Sequence, residues 1–276
     1  MRRYLQVDVF SDKILKGNGL AVVIDGYGLS EQQMQEFAIW TQQAETTFLL
    51  PPREGADYRV RIFSATGEMR FAGHPTLGSC AAWLYAGGVP QQAGRVIQDC
   101  GVGLVEIDLT GTAPAFVAPS TKIAEMDEKD RNAICYALGI TDGEVLSAVR
   151  LDNGVVRNLI ELSSAARVLS LDATAVSKPA FDGVSVIGAH SRNNEITYEI
   201  RNLTPASLAV EDPVTGSLIA ATACWLLHEG RLTEPLVMAQ GTAMGREGRA
   251  FVTLRENGDV MIGGHVAIVI DGHVNL

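Results

Sequence analysis

Two short segments place an ionisable side chain directly before proline, with glycine and serine following. His74-Pro75-Thr76-Leu77-Gly78-Ser79 and Asp212-Pro213-Val214-Thr215-Gly216-Ser217 share the pattern [His/Asp]-Pro-x-x-Gly-Ser. They lie half the length of the 276-residue chain apart, and each leads into a run rich in Ala, Cys, Trp and Leu. Arginine-led segments precede both, at 61–65 and 201–205. Because proline suits a first helical turn, we expect His74 and Asp212 each to start a helix, in duplicated lobes.

Helix starts have a chemistry of their own. Their unpaired backbone N–H groups and partial positive charge favour a bound carboxylate or phosphate. Gly73 and Gly216 would let a ligand approach the backbone closely, and Ser217 would add a hydroxyl donor. Two such starts that face each other would hold an anion between the lobes. The alternative is that His74 and Asp212 only cap their helices.

A third candidate is Glu45, in the stretch QAETTFL at 43–49. It stands between a helical pattern and a strand rich in Thr, Phe and Leu. A carboxylate near apolar residues has its charged form disfavoured, which raises its pKa and lets it take and return a proton. The alternative is an exposed glutamate that begins a strand.

Composition limits the classes of partner. The formal net charge is -10, and the sequence holds no block of Lys and Arg. Nucleic acids and anionic membranes need a concentrated basic patch, so we expect neither as a partner and favour a small-molecule ligand. The N-terminal residues alternate apolar with polar positions, which predicts a first strand of a cytoplasmic protein and no signal peptide.

The sequence also argues against metal and nucleotide cofactors. Cys80, Cys100, Cys135 and Cys224 form no CxxC pair, which predicts buried free thiols. The histidines lack the i, i+4 pairing of a helical zinc site, and no complete nucleotide-binding glycine motif occurs. We therefore expect no metal and no cofactor.

Periodicity and turn signals predict the elements. Strands are expected at YLQVDVF, LAVVID, TTFLLP, YRVRIFS, VGLVEIDL, FVTLREN and AIVID. Helices are expected at LSEQQMQEFAIWTQQ, where Ser30 can cap, and at PTLGSCAAWLYAGG, DEKDRNAICYALGI and PVTGSLIAATACWLLHEG. Asn257-Gly258 predicts a hairpin with a tight type I′ turn.

The proline-containing stretch at 111–121 is the predicted linker between two lobes. The N-terminal lobe is then 1–115 and the C-terminal lobe 120–264. In an alternative division that stays open, the C-terminal strand, 265–276, belongs to the first lobe. The active site is expected in the cleft between the lobes.

The chain resembles the PhzF-like phenazine-biosynthesis isomerases, which share the diaminopimelate-epimerase-like fold, over essentially its whole length. The matching stretches are DVF and GNGLAVV near the start, AETTFL at 44–49, RIFSATGEMRFAGHPTLG at 61–78, VEDPVTGS at 210–217 and QGTAMGR at 240–246. The sequence departs from the family pattern at Asn18-Gly19, where Asn-Pro is usual, and at Glu247-Gly248, where Pro-Ser is usual.

The resemblance implies an α+β fold of two pseudo-symmetric lobes, each a barrel-like, mostly antiparallel sheet around a central helix. It implies that Glu45 is the acid and base, that His74 and Asp212 act with it, and that Gly73, Gly216 and Ser217 bind substrate. We add Asn18 to the substrate-binding candidates. It also implies a homodimer.

Three functions remain in competition. The leading one is a cofactor-independent isomerase that moves a proton within a small, cyclic or aromatic-like carboxylate. The second is a racemase or epimerase of the same fold, which returns the proton to the same carbon. The third is a non-catalytic module that binds a small anion or a protein. The thiol pair of related epimerases has no counterpart at the matching positions, so a two-thiol mechanism is not expected.

Overall fold

The structure is a computed structural model that describes residues 1–204 and 210–276. Strands dominate this part of the chain. In chain order they are β1 Arg2–Val9, β2 Asn18–Val23, β3 Glu45–Leu50, β4 Tyr58–Ser64, β5 Gly67–Met69, β6 Arg95–Cys100, β7 Gly103–Asp108, β8 Ala115–Val117, β9 Lys122–Glu125, β10 Val145–Asp152, β11 Val156–Leu162, β12 Val184–Ala189, β13 Tyr198–Asn202, β14 Leu236–Gln240, β15 Gly248–Leu254, β16 Val260–Gly263 and β17 Val266–Val274. Every predicted strand is present. Pro205, the end of the predicted segment 201–205, lies outside the described residues.

The helices are short. They are α1 Glu31–Thr41, α2 Gly73–Tyr85, α3 Glu128–Leu138, α4 Ala165–Leu169 and α5 Gly216–His228, with single 3₁₀ turns at Asp142–Glu144, Ala173–Val176 and Thr242–Met244. The four predicted helices are confirmed, and Ser30 caps α1 as expected. The five residues of α4 are too few to show a helical period, so the sequence did not predict it. None of the helices in the described part of the chain is long and apolar enough to cross a membrane.

The predicted α+β fold class is confirmed, with a sheet-dominated architecture and few helices. The chain divides into two compact units. The first unit is Met1–Val117 together with Gly263–Leu276, and the second is Ala118–Ile262.

In the first unit, strands surround α2. The strand β1 pairs antiparallel with both β2 and β17, β2 pairs parallel with β3, and β3 pairs antiparallel with β4. The helix packs against β1, β2, β3, β4, β6, β8 and β17. Small residues make this close approach possible, since a Cβ on Gly78 would lie 2.6 Å from Leu20 Cδ2 and 2.9 Å from Val9 Cγ2. The small residues after His74 therefore reflect a helix enclosed by strands.

In the second unit, each strand from β9 to β14 pairs with the next strand along the chain. The pairs β9–β10, β10–β11, β12–β13 and β14–β15 are antiparallel, whereas β11–β12 and β13–β14 are parallel. The helix α5 is almost entirely buried and packs against β10 and β15. Each unit thus keeps one apolar helix in its interior.

The two Pro-Gly-Ser segments do not begin their helices at the same point, contrary to the prediction. His74 is the second residue of α2, but α5 begins at Gly216, so Asp212 and Pro213 precede the helix. Asp212 is instead held in an isolated bridge, in which its N–H donates to the Asn202 carbonyl at 3.2 Å. The shared pattern therefore describes similar surroundings and not equivalent helical positions.

The predicted chain reversal at Asn257-Gly258 is present, but its turn type was predicted wrongly. Gly258 N–H donates to the Arg255 carbonyl at 2.9 Å, and Gly258 has a φ of 91°. Asn257 does not have a positive φ, which a type I′ turn requires at both central residues. The two strands are joined by a longer turn that closes on a left-handed glycine.

Candidate active site

Glu45 and His74 meet in the first unit. Glu45 is the first residue of β3, and His74 is the second residue of α2. His74 Nδ1 lies 3.2 Å from Glu45 Oε2, and the two side chains are 5% and 17% exposed. The parallel pairing of β2 with β3 sets Glu45 beside Leu20. Elements distant in sequence thus bring together the predicted acid/base residue and the predicted histidine.

The imidazole of His74 is neutral at ordinary pH. Burial lowers its pKa to about 3, while a hydrogen bond with the backbone of Gly19 opposes that shift. A neutral imidazole keeps one donor and one acceptor nitrogen. His74 therefore lies against the Glu45 carboxyl group without carrying a charge.

The start of α2 is held by an internal polar network. The Ala72 carbonyl accepts from Thr76 N at 3.1 Å and from Thr76 Oγ1 at 2.9 Å. Gln98 Nε2 donates to Thr76 Oγ1 at 3.2 Å, and Tyr58 OH donates to Gln98 Oε1 at 2.8 Å. The hydrogen bonds among these three polar residues were not predicted, because their spacing along the chain carries no signal.

Capping by His74 is ruled out. The N-cap residue of α2 is Ala72, and no side chain caps the helix. Gly73, the first helical residue, is buried. A helix start without a capping side chain retains its preference for a ligand anion. His74 is thus placed beside an anion-favouring helix end and beside a carboxyl group.

Asn18 and Gly19 begin β2 near this group. Asn18 is 3% exposed and pairs with Val9 across the sheet, while Gly19 pairs with Asp8. A Cβ on Gly19 would lie 2.7 Å from Gln43 Oε1. The Gln43 side chain therefore fills the space beside Gly19, the position at which the family pattern has proline.

In the second unit, Asp212 is fixed by hydroxyl and amide groups. Thr215 Oγ1 donates to Asp212 Oδ2 at 2.6 Å and accepts from Asn202 Nδ2 at 3.1 Å. Gln240 Nε2 donates to the Asp212 carbonyl at 2.9 Å, and Gln240 Oε1 accepts from Thr215 N at 2.9 Å. The Gln-Gly sequence at 240–241 thus holds the Asp212 segment in place. Gly241 is required there, since a Cβ would lie 2.6 Å from the Pro213 carbonyl oxygen.

Gly216 and Ser217 form the first turn of α5, whose N-cap residue, Thr215, makes no side-chain capping bond. Asp212 therefore does not cap this helix either. Ser217 Oγ accepts from Arg157 Nη2 at 2.8 Å, and the Ser217 carbonyl accepts from Asn153 Nδ2 at 2.8 Å. Sequence reasoning missed both partners, which lie at the β10–β11 connection about 60 residues earlier in the chain.

The structure thus groups Glu45, His74 and Gly73 in one unit and Asp212, Gly216 and Ser217 in the other. That both groups act on one ligand remains a prediction. Within the described ranges, no cluster of three or more His, Cys, Asp or Glu side chains could hold a metal ion.

The cysteines are free, as predicted. Three are buried, whereas Cys224 is only partly buried. Burial raises the pKa of Cys80 to about 12 and also raises the pKa of Cys224. Such thiols ionise poorly near neutral pH, which argues against the pair as acid and base.

Comparison with known proteins adds independent evidence. A family model described as Phenazine biosynthesis-like protein matches residues 7–272. The chain is 33% identical to Antisense-enhancing sequence 1 of Schizosaccharomyces pombe, over 98% of this chain and 97% of that protein. It is 30% identical to trans-2,3-dihydro-3-hydroxyanthranilate isomerase of Pseudomonas fluorescens, over 91% of this chain and 90% of that enzyme. The crystal structure of a Bacillus anthracis phenazine biosynthesis protein of the PhzF family matches with a TM-score of 0.84 and 20% identity, covering 100% of this chain and 99% of that one.

Fold and relatives together define a sheet-rich isomerase. The chain belongs to the phenazine biosynthesis-like family, as its sequence motifs predicted, and is an isomerase of the PhzF type.

Proposed function

We propose that this isomerase moves a proton between two carbons of a small, cyclic, unsaturated carboxylate, with Glu45 as the general acid and base. The observation that carries the proposal is the 3.2 Å contact between Glu45 and the buried His74 at the start of α2. The name of the Pseudomonas fluorescens relative supports a dihydro-hydroxyanthranilate as substrate.

The proposed reaction needs no net change in composition. Glu45 takes a proton from an sp³ carbon, and the electron pair left behind shifts into the adjacent double bond. The same carboxyl group then returns the proton to the far end of that system, so one C–H bond breaks and another forms. The neutral imidazole of His74 would keep the Glu45 carboxyl group in place by direct contact during the transfer.

Asp212 and the start of α5 would position the substrate. Thr215 and Gln240 fix the Asp212 segment, which gives its carboxylate a defined direction. Backbone N–H groups at Gly73 and Gly216 would bind the substrate carboxylate. Orientation of this kind would supply the part of the acceleration that a single base does not.

The test is proton transfer on trans-2,3-dihydro-3-hydroxyanthranilate in D₂O, followed by NMR. Glu45→Gln keeps the side-chain shape but removes the proton acceptor, so we expect kcat to fall by about 10² to 10⁴-fold. Binding of the aromatic analogue 3-hydroxyanthranilate should stay within about tenfold of the wild-type value.

The matched control is Glu54→Gln, because Glu54 is exposed. This variant should turn over like the wild type. Wild-type activity in Glu45→Gln would remove Glu45 from the mechanism. A product that differs from the substrate only in configuration at the labelled carbon would instead support the epimerase alternative.

A further inference from the structure

Arg157 is a buried cation in the second unit. It lies in β11, pairs across the hairpin with Leu151 of β10 and is 6% exposed. Its guanidinium group donates from Nη2 to Ser217 Oγ at 2.8 Å and from Nη1 to the Val155 carbonyl at 3.3 Å. Both acceptors are neutral, so neither bond supplies a counter-charge.

Another buried arginine of the same unit, by contrast, has a carboxylate partner. Arg201 is 3% exposed and is matched by Glu211, which accepts from its Nε and Nη2 at 2.8 Å and 2.7 Å. By contrast, no carboxylate in residues 1–204 or 210–276 pairs with Arg157 within 4.0 Å. The charge of Asp212 acts on it without forming such a pair. A buried charge with no carboxylate in contact is costly, which favours a bound anion as an additional counter-charge.

The guanidinium group remains charged at neutral pH. Burial lowers its pKa to about 10, and the charge of Asp212 opposes that shift. A guanidinium has five N–H donors, and two hydrogen bonds engage only part of this set. Its charge therefore adds to the positive end of α5, at Ser217 in the first helical turn.

The bond to Ser217 also sets the direction of a proton. Because Ser217 Oγ accepts from Arg157, its own O–H must point away from the guanidinium. A hydroxyl that accepts from a cation is a stronger donor than an isolated one. Ser217 is thereby prepared to donate to an anion at the start of α5.

We propose that Arg157 makes the start of α5 selective for a carboxylate, by supplying the charge that balances it and by directing the Ser217 hydroxyl toward it. The inference deepens the proposed function and rests on it for the class of substrate. It assigns recognition of the substrate carboxylate to a residue that does not carry out the proton transfer.

Binding of two inert ligands tests this directly. 3-Hydroxyanthranilate carries a carboxylate, and its carboxamide is a neutral ligand of nearly the same shape. By titration calorimetry, we expect the wild type to favour the carboxylate by at least about tenfold. Arg157→Met should weaken carboxylate binding by about 30-fold or more and change carboxamide binding by less than about threefold.

Arg157→Lys keeps the charge but loses the planar fork, so we expect it to restore part of the carboxylate preference. Arg150→Met is the matched control, since Arg150 is an exposed arginine of the neighbouring strand, and should bind both ligands like the wild type. Thermal unfolding verifies that each variant is folded. If Arg157→Met does not fold, Arg157→Lys carries the same test. Its ratio of carboxylate to carboxamide affinity should then be smaller than the wild-type ratio but still above one.

Two results would overturn the proposal. One is a wild type that binds the carboxylate no better than the carboxamide. The other is a folded Arg157 variant with the full wild-type preference. Glu45→Gln should keep the preference, because Glu45 is not part of the carboxylate recognition. A protein that prefers the carboxylate but transfers no proton would therefore contradict only the proposed function.

Discussion

At the scale of single residues, the site depends on which groups stay neutral. The buried His74 imidazole lies against Glu45, yet burial dominates its pKa. A permanently charged histidine would hold Glu45 as a carboxylate and oppose the return of its proton. The neutral ring avoids this, so that Glu45 can act in both directions. The cost is a dependence of stability on pH.

The sign of that dependence follows from the pKa shift. Between about pH 6.5 and pH 3, the unfolded chain binds a proton at His74 and the folded chain does not. The contribution of His74 to stability therefore falls as the pH drops through this window, by about 1.4 kcal/mol per pH unit at most. His74→Gln removes the proton site. Between pH 7 and pH 5, we expect this variant to lose about 2 kcal/mol less unfolding free energy than the wild type.

Urea unfolding at several pH values measures this difference. His228→Gln is the control, because His228 is an exposed histidine at the end of α5. It should show the wild-type dependence on pH. Parallel curves for the wild type and His74→Gln would contradict the burial of a neutral imidazole.

At the scale of elements, the packing of α2 fixes where His74 and Gly73 lie. The helix is enclosed by strands, and Gly78 contacts side chains of β1 and β2. Gly78→Ala would push a Cβ to within 2.6 Å of Leu20 Cδ2. We expect a loss of about 1 to 3 kcal/mol in unfolding free energy, because a close-packed core tolerates extra volume poorly.

Gly143→Ala is the matched control for this substitution. Gly143 has no neighbouring atom within 4 Å of an added Cβ and lies in an exposed 3₁₀ turn. We expect no loss of stability or a small gain from reduced freedom of the unfolded chain. Equal effects of the two substitutions in urea unfolding would show that α2 can shift to accept the methyl group.

Elements are also the scale at which sequence reasoning was most and least successful. Alternating apolar residues predicted the strands that present Glu45, and the residues after His74 predicted α2. The same reasoning wrongly placed Asp212 at a helix start. A Pro-x-x-Gly pattern does not determine where helical hydrogen bonding begins. Arg157 could not be predicted, since its partner Ser217 becomes a neighbour only through the packing of α5 beside the β10–β11 hairpin.

At the scale of the whole molecule, the candidate residues are divided between two units. The first holds the Glu45–His74 pair, and the second holds Asp212 with the start of α5. Each group is incomplete for the proposed reaction. The first has the proton carrier, while the second has the buried cation that suits a carboxylate. We therefore predict that both groups act on one substrate molecule.

A double-mutant cycle tests this prediction. Glu45→Gln and Asp212→Asn each keep the side-chain shape, and each should lower kcat/KM for trans-2,3-dihydro-3-hydroxyanthranilate. If both residues serve one step on one ligand, the kcat/KM of the double variant should be at most about tenfold below that of the less active single variant. The control is Asp182→Asn, since the Asp182 side chain is 87% exposed and should add nothing. A folded Asp212→Asn variant that keeps the wild-type kcat/KM would show that Asp212 takes no part in the reaction, and the shared-site prediction would then be wrong.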